Sequence, residues 1–119
     1  APTLHLSDPS ELLLRLRWLA IVKPGVGVAL AVSGGVHSGL DAVKAVMAGA
    51  SVVQVVSALL MKGPEYLAIL RSEVERWMQE NEYTSLKQML GNMSLARCPD
   101  PSAFSRANYM RILQSWRAA

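Results

Sequence analysis

The chain has a single cysteine, Cys98, among 119 residues. An intrachain disulfide is therefore excluded, and no zinc-type cysteine spacing exists. Cys98 precedes Pro99 with no histidine or acid beside it in sequence, so it reads as an ordinary structural thiol rather than a nucleophile. The two histidines, His5 and His37, have no further ligands at metal-binding spacing, and no metal is expected. Charged residues make up only 18% of the chain. The net charge is +3, yet the basic residues are scattered with acids between them. No basic run tracks a nucleic-acid backbone, so nucleic acid is not an expected partner. Apolar runs of the ~20 residues needed to cross a bilayer are missing, as is a signal-peptide pattern at the start. These absences set the expectation of a reduced, cytoplasmic protein that does not enter a membrane.

What the chain has instead is apolar surface, with hydrophobic residues at 51%. That is high for a length that buries only a modest core. It suits a piece of a larger buried sheet.

The most informative stretch is 28–60. Residues 28–32 are a short apolar run without period-2 alternation, which predicts a parallel strand buried on both faces. Ser33, Gly34 and Gly35 interrupt it; paired glycines give unusual backbone angles and let a ligand approach closely. Ser38 and Asp41 have capping-box spacing for a helix whose apolar face carries Leu40, Val43, Val46 and Met47, and Gly49 ends it. Residues 51–56 form a second β-branched run, ending in a turn with the hydroxyl of Ser57. A strand, helix, strand unit of this length predicts a parallel pair joined by a crossover. Amides following the first strand, next to a helix start, favour an anion. In (β/α)8 barrels the last two strand ends form one phosphate cup, often completed by a short extra helix, which Gly63, Pro64 and Glu65 are placed to open. From the residues alone, the unit reads as a phosphate site of an α/β fold.

Around it, Asp8, Pro9 and Glu11 mark a helix start, and that helix is expected to run to about Val22. Leu12, Leu13, Leu16, Trp18 and Leu19 give it a wide apolar face. Arg15 and Arg17 are within reach of a phosphate, although solvated surface arginines are the preferred reading. His37, beside the paired glycines, is read as an exposed loop residue ahead of a ligand role. After Gly63-Pro64 a helix to about Glu80 carries the stripe Tyr66, Leu67, Leu70, Val74, Trp77 and Met78, taken as packing. A shorter helix over 85–90 follows, then a loop over 91–99. Asp100-Pro101 is expected to start a last helix through Phe104, Tyr109, Leu113 and Trp116.

The run from Ser33-Gly34-Gly35-Val36-His37-Ser38 through Val55-Val56-Ser57-Ala58 resembles the last two strands of the dihydroorotate dehydrogenase family, in particular its dihydroorotate dehydrogenase-like branch. Leu14-Arg15-Leu16-Arg17-Trp18, Gly63-Pro64-Glu65-Tyr66-Leu67, Gly91-Asn92-Met93-Ser94, Cys98-Pro99-Asp100-Pro101 and Arg106-Ala107-Asn108-Tyr109-Met110 extend the resemblance over nearly the whole chain. The resemblance implies that residues 1–119 are the C-terminal portion of an FMN-binding (β/α)8 TIM barrel, with two parallel strands and flanking helices. A complete barrel takes roughly 250 residues. It further implies an FMN-dependent dehydrogenase acting on CH–CH bonds, as in pyrimidine biosynthesis, with a small-molecule substrate in the parent enzyme. The cofactor phosphate falls to Gly34, Gly35, Val56 and Ser57; Val56 stands where the family has glycine. The family's catalytic base has no counterpart here, so no catalytic residue is assigned and the chain alone is expected to be inactive. Two other readings stay open: a phosphate-binding fragment for another phosphorylated ligand, and a non-catalytic module that self-associates or pairs with the missing barrel part.

Overall fold

A computed structural model of the chain describes residues 4–94. Cys98 and the expected last helix lie outside the described residues.

The first helix is built by its own cap. The Asp8 carboxylate accepts the Ser10 N–H at 2.8 Å, and the Asp8 N–H donates to Glu11 Oε2 at 2.7 Å. Pro9 opens a single 3₁₀ turn, Pro9–Glu11, because its fixed φ and missing N–H suit a first helical position. The chain then continues as α1, Leu12–Val22. Leu12 and Leu19 are buried, whereas Leu13 at 76% exposure and Trp18 at 52% lie outside the covered face. The apolar face expected from sequence is thus wider than the face this chain covers.

Strand β1 is Leu30–Ser33 and strand β2 is Ala50–Gln54. They pair in parallel, Val32 opposite Val53 and Ser33 opposite Gln54, with a register irregularity after Leu30. Helix α2, Gly39–Ala48, makes the crossover between them. Both strands lie one or two residues from their expected bounds. The expectation of burial on both faces is corrected: Ala31, Ser33, Ser51, Val52 and Gln54 are exposed. Only one side of the pair is covered, by α1 and α2. There Leu12, Leu19, Ala20, Val32, Val36, Ala45, Ala48 and Ala50 form one apolar cluster.

After β2 the chain turns directly into a short helix α3, Ser57–Lys62. Helix α4, Tyr66–Glu80, follows the Gly63-Pro64 break. The short extra helix therefore precedes Gly63, where the sequence reading placed it after. Short α5, Leu86–Met89, is capped by Ser85 and Gln88. Helices α2, α4 and α5 enclose a second cluster, with Val43, Val46 and Met89 buried and Val74, Trp77, Met78 and Tyr83 against them. Trp77 and Tyr83 stack with ring centroids 5.7 Å apart. The α4 stripe is as expected except for Leu67, which is exposed. The end of α2 is closed from a distance: Gly91 N–H donates to Val46 O and Met93 N–H to Met47 O. Among the described residues no helix is long and apolar enough to cross a membrane.

Candidate functional site

The paired glycines sit at the C-terminal end of β1 with φ of +90° at Gly34 and +84° at Gly35. Both angles are in the region that side chains strain to adopt. The space a Cβ would take is already filled. At Gly34 it would lie 2.8 Å from Arg15 Nη2, and at Gly35 only 2.6 Å from the backbone nitrogen of Leu12. The glycines therefore let α1 close onto the strand end. A ligand can meet this turn only on its amide side.

On that side the ends of β1 and β2 are joined by a residue that sequence reasoning missed. Ser7 Oγ accepts the Gly35 N–H at 3.2 Å and lies 2.9 Å from Ser57 Oγ. Ser7 N–H donates to the same Ser57 oxygen at 3.0 Å. The lead-in before α1 thus lies across both loops. No local pattern signals it, because the partners are 28 and 50 positions away.

His37 is corrected from an exposed loop residue to a buried one, 8% exposed. Its Nε2 is 2.9 Å from the Ser7 carbonyl oxygen, which only accepts, so that nitrogen carries the proton. The His37 carbonyl accepts the Tyr66 hydroxyl of α4 at 2.7 Å. Histidine here fixes the lead-in instead of facing a ligand.

The start of α2 turns out differently from its sequence reading as an anion site. Asp41 Oδ2 accepts the N–H of both His37 and Ser38, at 3.0 and 3.1 Å. Ser38 Oγ accepts the Asp41 N–H at 3.1 Å, and Glu73 Oε2 on α4 accepts the Gly39 N–H at 3.0 Å. The chain's own carboxylates have taken these donors, and their charge opposes a second anion.

Of the remaining expected residues, Val56 precedes α3 with φ −124° and ψ −59° and its side chain is 61% exposed. At a negative φ a valine fits where the family pattern has glycine. Arg15 lies over Gly34, steadied by Nη1 donating to Glu11 O at 2.8 Å. It is half-buried and forms no ion pair among the described residues. Arg17 is corrected from a solvated surface residue: its Nε and Nη1 are buried and unpartnered among the described residues. No group of three metal-ligating side chains occurs among the described residues.

The corner made by Gly34, Gly35, Ser57 and Ser7 thus gathers two hydroxyls beside a guanidinium, with the Gly35 amide already bonded to Ser7 Oγ. The carboxylates Asp8 and Glu11 nearby are engaged in their own cap. Such a donor set, at the C-terminal ends of adjacent parallel strands, is of the kind that α/β enzymes use for anionic ligands.

Comparison with known proteins gives the family. A model described as dihydroorotate dehydrogenase matches residues 20–78. The mitochondrial quinone-dependent dihydroorotate dehydrogenase of Mus musculus is 38% identical over 58 residues, 49% of this chain and 15% of the relative. The catalytic subunit of the NAD(+)-dependent dihydroorotate dehydrogenase B of Geobacter sulfurreducens is 30% identical over 90 residues, 76% of this chain and 29% of the relative. Among solved structures, dihydroorotate dehydrogenase of Eimeria tenella in complex with ferulenol superposes with a TM-score of 0.52 at 31% identity, covering 54% of this chain and 17% of that one. In its matched region, the chain belongs to the dihydroorotate dehydrogenase family. It spans only 15–29% of the length of these relatives.

Proposed function

We propose that this chain is the C-terminal part of an FMN-dependent oxidoreductase barrel and supplies the corner that holds the cofactor phosphate. The observation that carries the reading is the meeting of Gly35 N–H and the hydroxyls of Ser7 and Ser57 at the ends of two parallel strands. The donor set fits a phosphate: the groups at the corner are amide, hydroxyl and guanidinium. Gly34, Gly35, Val56 and Ser57 would line it, with Arg15 offsetting part of the negative charge. FMN supplies two-electron redox chemistry when bound. The residues here bind and orient; on this reading the proton-abstracting base and the substrate contacts belong to the rest of a TIM barrel, and the parent enzyme acts on a small molecule such as dihydroorotate. The outer edges of β1 and β2 are where the remaining barrel strands would pair, and the uncovered face would turn to the barrel interior.

A second reading has its own support. None of the four residues assigned to the corner reads a flavin ring, so the same corner suits another phosphorylated ligand. Titrating the chain with FMN, with riboflavin as the phosphate-free control, tests the first reading by flavin fluorescence. Saturable binding of FMN and little of riboflavin is expected. Equal binding of both would defeat a phosphate corner. Displacement of FMN by a sugar phosphate at lower concentration than FMN itself would favour the second reading.

A further inference from the structure

The hydrogen bonds at the corner have an order. Gly35 N–H donates to Ser7 Oγ at 3.2 Å, and Ser7 Oγ–H donates to Ser57 Oγ at 2.9 Å. Ser57 Oγ also accepts Ser7 N–H at 3.0 Å. A hydroxyl has one hydrogen and two lone pairs. With Ser7 Oγ–H as the donor of the pair, Ser57 Oγ accepts twice and its lone pairs are committed. Its hydrogen is what it has left to offer, and none of the hydrogen bonds among the described residues uses it. Ser7 is itself held from behind: its carbonyl takes His37 Nε2 at 2.9 Å, and the His37 carbonyl takes Tyr66 Oη at 2.7 Å.

We propose that Ser7 is a positioning residue that commits both lone pairs of Ser57 and so makes the Ser57 hydroxyl an obligate donor to an acceptor-only oxygen of the ligand. This rests on the phosphate reading for the ligand's identity, because a phosphate oxygen accepts and a neutral ribityl hydroxyl competes for both roles. The lead-in before α1 thereby becomes part of the specificity of the site. It selects ligands by which atoms carry hydrogen as well as by charge. The opposite order of the Ser7–Ser57 bond would move the free hydrogen to Ser7, and the variants below separate the two.

The test uses the full chain, with amide hydrogen exchange by ¹⁵N NMR beside titration with FMN and with riboflavin. In Ser7→Ala, the Gly35 amide is expected to lose protection, and FMN affinity to fall roughly ten-fold, as for loss of one hydrogen bond to a charged group. Riboflavin affinity stays unchanged. Ser7→Thr keeps the hydroxyl and restores both readouts. In Ser57→Ala, the Ser7 amide loses protection, the Gly35 amide keeps it, and FMN affinity falls as far as in Ser7→Ala. The double variant falls no further than Ser57→Ala alone. Unchanged Gly35 exchange in Ser7→Ala would overturn the proposal. So would a Ser57→Ala chain that binds FMN normally while Ser7→Ala does not. Equal affinity of the wild type for FMN and riboflavin would sink the phosphate reading alone; the Ser7 bridge between Gly35 and Ser57 would still stand or fall on the amide exchange.

Discussion

Two places in this molecule offer backbone N–H groups at the end of β1, and they have opposite fates. At the start of α2 the N–H groups of His37, Ser38, Gly39 and Asp41 are matched to Asp41, Ser38 or Glu73 of the same chain. At the Gly34–Gly35 turn the amide of Gly35 goes to a neutral hydroxyl, with a guanidinium close by. A helix start is an anion site only while its donors are free. Here the well-made cap stabilises the helix with carboxylates, whereas the bonded amide of the less regular turn meets no carboxylate.

The contrast is sharpest in the glycines. Gly35→Val must accommodate a side chain against Leu12 backbone at φ +84°. It is expected to destabilise the fold by at least ~3 kcal/mol, seen as loss of a cooperative urea transition. Gly34→Ala meets the end of a flexible arginine, and a cost of about 1–2 kcal/mol is expected, mainly from the backbone angle. Equal costs at the two positions would mean that α1 does not press on the turn as described.

Asp41→Ala removes the acceptor of two amides. It is expected to cost about 1–2 kcal/mol in urea unfolding while leaving the preference for FMN over riboflavin intact. Loss of that preference would return the anion to the start of α2 and erase the distinction between the two places.

The smallest effect concerns the other cap. The Ser10 hydroxyl and then the Ser10 N–H hold the Asp8 carboxyl below its ordinary value. A depressed pKa stabilises the folded state above the ordinary value of 3.8, and this contribution fades as pH falls through the lower folded value. Asp8→Ala is therefore expected to lower Tm slightly at pH 7 and to leave it unchanged near pH 2. A Tm difference of the same size at both values would show that the carboxylate charge plays no part.

What was legible in the sequence divides along sequence distance. The caps at Asp8 and Ser38 are chemistry within a few residues, and the starts of α1 and α2 follow from them. The parallel pair and its crossover helix follow from apolar period and glycine punctuation. The contacts that shape the corner join Ser7 to Ser57, His37 to Ser7 and Tyr66 to His37, across 50, 30 and 29 positions. No local signal encodes such pairs, so Ser7 was overlooked and His37 read as exposed. Strand burial was overestimated for a related reason: apolar residues such as Val52 record the neighbours a sheet is made for, whereas exposure records those present.

The bonds from Gly91 and Met93 to the end of α2 carry a consequence for synthesis. The carbonyl of Met47 waits for an amide made more than 40 residues later, Val46 O gains from Gly91 a second bond beside that of Gly49 N–H, and Met89 fills the space beneath Val43 and Val46. A nascent chain halted near residue 80 would hold a crossover helix unfinished at its C-terminal end, so α2 and the turn after α5 should gain and lose exchange protection together, as one cooperative unit.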